Sequence, residues 1–131
     1  MQKIILLVDD DELVRVTLKE FLTILGLQVI EARNGREGIE KAIETEFHIL
    51  IADYKMPDMT GIEMIREIQK FKRDFKILIL TGYADEITKD MIEELGIVSV
   101  LQKPIDLALL EKIITQLLAN PKNKNNWEGK K

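Results

Sequence analysis

The chain of 131 residues contains no cysteine and only one histidine, and its aromatic residues amount to 5%. The lack of cysteine excludes a disulfide framework, a thiolate metal site and a cysteine nucleophile. A single histidine is too few for a zinc site built on imidazoles. Of the common metal sites, only those built from hard oxygen ligands remain open.

The chain also lacks an excess of basic residues and any long apolar run. The 19 basic against 23 acidic residues give a net charge of −4, which disfavours direct binding to nucleic acid or to a membrane surface. No apolar stretch approaches the roughly 20 residues of a membrane span. The apolar run near the start is too short and wrongly flanked for a signal peptide. We therefore expect a cytoplasmic protein.

Short apolar runs alternate with longer amphipathic stretches along most of the chain. The runs predict five strands, at residues 4–8, 28–32, 48–52, 76–80 and 98–102. Apolar residues at three- and four-residue spacing predict a helix after each strand. We place these helices at about 14–25 with Gly26 as its stop, after the pair Asn34-Gly35, and at about 61–71, 84–95 and 106–119.

This alternation predicts an α/β fold with a single doubly wound five-stranded parallel sheet, because apolar strands without polar alternation are buried on both faces. At 131 residues one domain is expected, over 1–120. Residues 121–131 are polar and without period, which predicts a disordered tail. A linker to a second domain or a lysine-rich contact segment are the alternatives for the tail.

Chemically reactive side chains follow four of the five predicted strands. Asp9 and Asp10 follow the first strand, Asp53 the third, Thr81 the fourth and Lys103 the fifth. Ligands of open α/β sheets bind beyond the carboxyl ends of the strands, so these side chains are expected at one rim. Taken singly, each has a simpler interpretation as a loop, turn or solvated residue.

Carboxylates that converge within a few ångströms repel one another unless a cation offsets them. Mg²⁺ fits, because it prefers oxygen ligands and often combines carboxylates with phosphate oxygens. An aspartate beside such an ion can attack phosphorus as a nucleophile and form an aspartyl phosphate. Lys103 and Thr81 would then supply a point charge and a hydroxyl to the phosphoryl oxygens.

The motifs at these positions resemble those of the receiver domain of two-component response regulators, a flavodoxin-like family, over residues 1 to about 120. They are VDD at 8–10, DYKMPDMTG at 53–61, LTG at 80–82 and KP at 103–104. The resemblance implies that Asp53 accepts a phosphoryl group. It also implies Mg²⁺ ligation by Asp10, Asp53 and the backbone carbonyl of Lys55, with Asp9 acting through water.

The resemblance further implies sheet order 2-1-3-4-5 and a cis peptide bond before Pro104. Thr81 and Lys103 would contact the phosphoryl group and switch the face formed by helix four, strand five and helix five. The implied partners are a sensor histidine kinase and a downstream protein or output domain, with a monomer or a phosphorylation-dependent dimer. No enzyme activity is expected apart from Mg²⁺-dependent self-phosphorylation and self-dephosphorylation.

Two features depart from the family pattern or tune it. Val100 stands where the family usually carries an aromatic residue, so we expect a weaker or differently relayed conformational change. Lys55 and Tyr83 flank the acceptor at positions that tune attack by water. Neither side chain is a carboxylate or amide that would orient water, so slow self-dephosphorylation is expected.

Other functions and simpler roles stay open from the sequence. An Mg²⁺-dependent phosphatase also uses an aspartate nucleophile, although its usual lid is not evident in the short loops. A degenerate receiver acting as a scaffold is a third possibility. Asp11 and Glu12 fit the positive end of the first helix better than a metal. Asp58 fits a loop and capping role, and His48 a surface or packing role.

Overall fold

The computed structural model describes residues 2–119. Within them five parallel strands form one sheet. The strands are β1 (Ile4–Val8), β2 (Gln28–Ala32), β3 (Ile49–Ala52), β4 (Lys76–Thr81) and β5 (Ile97–Gln102). Their order is β2-β1-β3-β4-β5. The predicted fold class and strand order are therefore confirmed.

In this described part of the chain, five α-helices connect and cover the strands: α1 (Glu12–Ile24), α2 (Gly35–Glu44), α3 (Gly61–Gln69), α4 (Lys89–Leu95) and α5 (Leu107–Ala119). The predicted helix signals act as expected at several ends. Gly26 has a φ of 91°, just after α1, and Gly96 has a φ of 72° as the cap of α4. Asp106 Oδ1 accepts a hydrogen bond from Leu109 N at 3.1 Å at the start of α5.

The predicted helix over 84–95 is wrong in its first half. Ala84–Glu86 form one turn of 3-10 helix, and α4 begins at Lys89. Between them Ile87 is extended, with φ −88° and ψ 113°, and its side chain is buried in the core. Thr88 then caps α4 by accepting from Met91 N at 3.1 Å. Burial of Ile87 in an extended conformation thus separates the two helical segments.

The core has two layers, one on each face of the sheet. Side chains of α1 and α5 cover one face, and those of α2, α3 and α4 cover the other. Alternate residues of each central strand enter opposite layers, as Leu6 and Leu7 do in β1. This arrangement buries the central strands on both sides and leaves their carboxyl ends at one rim of the sheet.

Two further sequence expectations concern the domain boundary and membrane-spanning segments. The predicted tail over 121–131 lies outside the described residues, so the division at residue 120 stays a prediction. The helices within residues 2–119 all lack the length and hydropathy that a membrane-spanning segment requires.

Candidate functional site

Three of the predicted site residues meet at the carboxyl rim of β1, β3 and β5. The ammonium group of Lys103 lies 2.8 Å from Asp9 Oδ2 and 3.0 Å from Asp53 Oδ2. Both aspartates are buried, whereas the Lys103 side chain is one-fifth exposed. Asp53 Oδ1 also accepts from the backbone N–H of Tyr54 at 2.6 Å. The lysine therefore holds two buried carboxylates that come from different strands.

Asp10 extends this pair into an acidic cluster. One carboxylate oxygen from each of Asp9, Asp10 and Asp53 lies within 4.8 Å of the others. Asp10 is exposed, so the cluster is open to solvent on that side. Three carboxylates against one ammonium leave an excess of negative charge, and all the donors are hard oxygens. The residues present thus fit a hydrated Mg²⁺ ion better than a softer metal.

Burial raises the pKa of the Asp9 carboxyl above its usual value, against the opposing effects of Lys103 and of the Asp11 N–H. Partial burial acts to lower the pKa of Lys103, but its hydrogen bonds to Asp9 and Asp53 prevail and hold that pKa above its usual value. Lys103 therefore stays charged at neutral pH. The raised pKa of Asp9 shows that one lysine does not fully compensate the burial of this carboxylate.

Thr81 ends β4 at the same rim and is fully buried. Its hydroxyl oxygen accepts from the backbone N–H of Tyr83 at 3.0 Å, rather than bonding to the carboxylate cluster. The structure therefore places Thr81 at the same rim, at the end of the strand that lies between β3 and β5. Its hydroxyl contacts the loop that follows β4. A role toward a phosphoryl group stays a prediction.

The side chain of Lys55 reaches across to the loop after β4. Its ammonium lies 3.4 Å from Glu86 Oε2 and 4.3 Å from the centre of the Tyr83 ring. Lys55 and Tyr83, predicted as tuning positions, are thus brought into contact, and Glu86 joins them. Glu86 is a residue that the sequence analysis missed, since its pairing depends on how two loops fold.

Val100 lies on β5, and Pro104 follows the end of that strand. Both residues are among those predicted to take part in the switch. Val100 is half-buried and packs against the layer beneath α2, α3 and α4. The peptide bond between Lys103 and Pro104 is cis, as the resemblance implies.

Three of the four residues given simpler roles, Asp11, Asp58 and His48, have hydrogen-bond partners. Asp11 caps α1, accepting from Leu13 N and Val14 N. Asp58 accepts from Gly35 N at 3.0 Å and Arg36 N at 2.8 Å, at the start of α2. His48 Nδ1 accepts from Ile4 N at 3.0 Å. These contacts agree with capping and packing.

The sequence analysis also missed Arg15, which is buried on α1 and donates to the backbone carbonyl of Asp9 at 2.8 Å. A signal existed in the sequence. Arg15 shares the spacing of the buried residues Leu18 and Leu22 along α1, and a basic residue on an apolar stripe is unusual unless it has a partner.

Comparisons with known proteins agree with this geometry. The family model of the response regulator receiver domain matches residues 5–115. Response regulator RR06 of Streptococcus pneumoniae is 35% identical over 114 residues, which cover 87% of this chain and 52% of that protein. The chain therefore spans about half the length of that relative.

Two solved structures share the fold along nearly their whole length. A CheY-like receiver domain from Methanospirillum hungatei has a TM-score of 0.84 and 31% identity, covering 94% of this chain and 99% of that one. Response regulator TrrA of Thermotoga maritima, solved in complex with Mg²⁺-BeF, has a TM-score of 0.80 and 31% identity. The matched region covers 88% of this chain and 99% of the TrrA chain.

Proposed function

We propose that this chain, which belongs to the response regulator receiver domain family, accepts a phosphoryl group on Asp53 and thereby works as a two-component switch. Membership of the family follows from the match of its model to residues 5–115. The assignment of Asp53 rests on one observation above all. Its carboxylate lies at the carboxyl rim, bound to Lys103 at 3.0 Å and clustered with Asp9 and Asp10.

Asp10, Asp53 and the backbone carbonyl of Lys55 are the proposed ligands of Mg²⁺, and Asp9 would position it through water. When bound, Mg²⁺ supplies positive charge to the phosphoryl oxygens and to the carboxylates around it. This choice is supported by the acidic cluster. The Mg²⁺-BeF complex of TrrA shows that a protein of the same fold binds this pair of ions.

The proposed reaction is in-line transfer to an Asp53 oxygen. A carboxylate oxygen of Asp53 forms the bond to phosphorus while the bond from phosphorus to the donor nitrogen of a phosphohistidine breaks. The leaving imidazole keeps the electron pair and takes a proton from solvent. Lys103 already lies at hydrogen-bond distance from Asp53, so its ammonium is placed to donate to the phosphoryl oxygens.

Thr81 is the proposed link between the phosphoryl group and the rest of the molecule. In this proposal the Thr81 hydroxyl, which now accepts from Tyr83 N, exchanges its present position for one in which its O–H donates to a phosphoryl oxygen. That exchange would draw in the loop after β4 and shift the face of α4, β5 and α5. A covalent phosphate supplies new charge and acceptor oxygens to bias such a two-state element.

The proposed partners are a sensor histidine kinase as donor and a downstream protein or output domain as reader of the switched face. The chain spans about half of RR06, so an output domain in a longer protein and a separate partner are both compatible with it. The proposed place of action is the cytoplasm. The switched protein would be a monomer or a phosphorylation-dependent dimer.

The experiment is intact-mass spectrometry after incubation with acetyl phosphate, with Mg²⁺ or with chelator. We expect one phosphoryl adduct on the wild type that depends on Mg²⁺ and is absent from Asp53→Asn. Asp58→Asn is the matched control, because it removes a carboxylate of the same loop outside the cluster, and it should retain the adduct. An equal adduct on Asp53→Asn, or rapid release of phosphate with no adduct, would contradict the proposal.

A further inference from the structure

Arg15 is the one buried charged residue, within residues 2–119, that lies outside the predicted phosphorylation set. The buried polar or charged residues described there are Asp9, Arg15, Asp53 and Thr81. A guanidinium group removed from water needs hydrogen-bond acceptors that compensate its charge. Its partners therefore indicate what the buried charge does.

The Arg15 guanidinium joins the ends of two strands. Its Nη1 donates to the backbone carbonyl oxygen of Asp9 at 2.8 Å, and its Nε donates to Glu31 Oε1 on β2 at 3.2 Å. Glu31 also accepts from Lys19 at 3.0 Å through its other oxygen. The planar, rigid donor set of arginine can serve both acceptors at once, which a lysine ammonium on a flexible chain does less well.

The carbonyl that Arg15 binds belongs to the peptide that joins Asp9 to Asp10. The N–H of Asp9 is held by Ala32 O at 3.1 Å, and Asp9 Oδ1 accepts from Asp11 N at 2.9 Å. Arg15 thus completes a set of bonds that fixes both ends of Asp9. Because Asp10 follows directly, the direction of its carboxylate depends on the same peptide plane.

We propose that Arg15 is a positioning residue for the divalent cation, which acts by holding the Asp9–Asp10 peptide. The inference rests on the proposed function and adds to it a residue that touches neither the cation nor the phosphoryl group. The three carboxylates of the cluster repel one another wherever a cation does not offset their charge. The Arg15 hydrogen bond keeps the loop in the arrangement that a cation needs, and preorganisation of this kind increases affinity.

The test measures Mg²⁺ affinity directly, by titration of backbone amide resonances in the full chain without any phosphoryl donor. Arg15→Met removes the hydrogen bond and the charge, whereas Arg15→Lys keeps the charge. Lys19→Met is the matched control, since it removes the other cation on Glu31 without touching the Asp9 carbonyl. Leu22→Val, on the buried face of α1, controls for a general loss of stability, which urea unfolding monitors in every variant.

We expect the Kd for Mg²⁺ to rise about tenfold in Arg15→Met, equivalent to about 1.4 kcal/mol. Arg15→Lys should lie between Arg15→Met and the wild type. Lys19→Met and Leu22→Val should stay within about twofold of the wild type, so that the loss follows the Asp9 contact and not stability. The amide resonances of Asp10 and Asp11 should move in the Arg15 variants before any Mg²⁺ is added.

Wild-type affinity in folded Arg15→Met would overturn the inference while leaving the proposed function intact. If Arg15→Met does not fold, Arg15→Lys decides alone, and an affinity equal to that of the wild type overturns it. An equal loss of affinity in Leu22→Val also overturns it, because the effect would then come from stability. A wild type that binds no Mg²⁺ would overturn the proposed function and this inference with it.

Discussion

Lys103 and Lys55 show how two lysines near one aspartate can have different tasks. Lys103 bonds to the buried carboxylates of Asp9 and Asp53, at 2.8 and 3.0 Å. Lys55 points instead to Glu86 and the Tyr83 ring, and its side chain is about half exposed. At the residue scale, the first lysine binds the carboxylate of Asp53, which is the proposed phosphoryl acceptor. The second joins the two loops beside Asp53.

We expect the contact of Lys55 with Glu86 and Tyr83 to affect the lifetime of the proposed aspartyl phosphate. We predict that Lys55→Asn shortens this lifetime about tenfold, or about 1.4 kcal/mol in the barrier. The reason is that the variant frees the loops and offers an amide that can orient water. The decay of the intact-mass adduct after removal of donor measures it. Lys70→Asn, at an exposed lysine paired with Glu67, is the control. Unchanged lifetimes in both Lys55→Asn and Tyr83→Glu would contradict the prediction.

At the element scale, the loop between β3 and α3 is fixed by several hydrogen bonds that follow Asp53 in the chain. Gly61 N donates to Tyr54 O at 2.6 Å, and Thr60 and Glu63 form a capping box at the start of α3. Asp58 of the same loop binds the first two N–H groups of α2. The loop that follows Asp53, the proposed acceptor, is therefore tied to two helices.

Gly61 is required by space, because a Cβ there would overlap the backbone carbonyl oxygen of Asp53. We predict that Gly61→Ala lowers the free energy of unfolding by about 2 kcal/mol, the usual effect of overpacking, and slows phosphorylation. Gly82→Ala is the control, since a Cβ there meets no atom within 4 Å. Its unfolding free energy should change by no more than about 0.5 kcal/mol. Urea unfolding decides, and equal stabilities for the two variants would refute the spatial argument.

Asp58 links α2 to the loop between β3 and α3, and the strength of this link is expected to depend on pH. Burial alone would raise its pKa, but the N–H groups of Arg36 and Gly35 prevail and hold the pKa below its usual value. A carboxyl with a lowered folded pKa stabilises the fold above its unfolded pKa of about 3.9. That stabilisation is lost as the pH falls through the folded pKa.

We therefore predict that Asp58→Asn lowers the free energy of unfolding by about 1 kcal/mol at pH 7, since an amide has only one oxygen for the two N–H groups. The difference from the wild type should shrink below pH 4 and vanish once the carboxyl is protonated. Urea unfolding between about pH 2.5 and about pH 7 measures this difference in unfolding free energy. The control is Asp74→Asn, at an exposed aspartate before β4. A difference that stays constant with pH would be inconsistent with this role.

At the scale of the whole molecule, much of the site follows from topology. Apolar strands and strict alternation with helices predict the parallel sheet, and a parallel sheet brings the carboxyl ends of β1, β3 and β5 together. This is why Lys103 could be predicted near Asp9 and Asp53, although it lies 94 and 50 residues away from them.

Features that depend on side-chain packing between elements were not predictable in this way. Ile87 is extended and buried in one core layer, an arrangement that depends on tertiary packing, so local periodicity misplaced the start of α4. The contacts of Arg15 with Asp9 and Glu31 require the relative positions of α1, β1 and β2. The ion pair of Lys55 with Glu86 likewise depends on the relative positions of two separate loops.

Val100 concerns the motion of the whole molecule, because it lies on the face that the phosphoryl group is proposed to switch. Valine fills a half-buried position in either state with little penalty, whereas an aromatic ring carries a large apolar area between environments. We predict that beryllofluoride with Mg²⁺ produces a smaller change of amide hydrogen exchange in α4, β5 and α5 of the wild type than in Val100→Tyr. Large and equal changes in both proteins would contradict this.

The central claim is that Asp53, among the aspartates at the rim, receives the phosphoryl group, and borohydride trapping tests it most directly. Borohydride reduces an aspartyl phosphate at its carbonyl carbon, releases phosphate and leaves homoserine, which peptide mass spectrometry locates. After treatment with acetyl phosphate and Mg²⁺, the account predicts homoserine at position 53, and none when chelator replaces Mg²⁺. Homoserine at Asp9, Asp10 or Asp58 in place of Asp53 would contradict it.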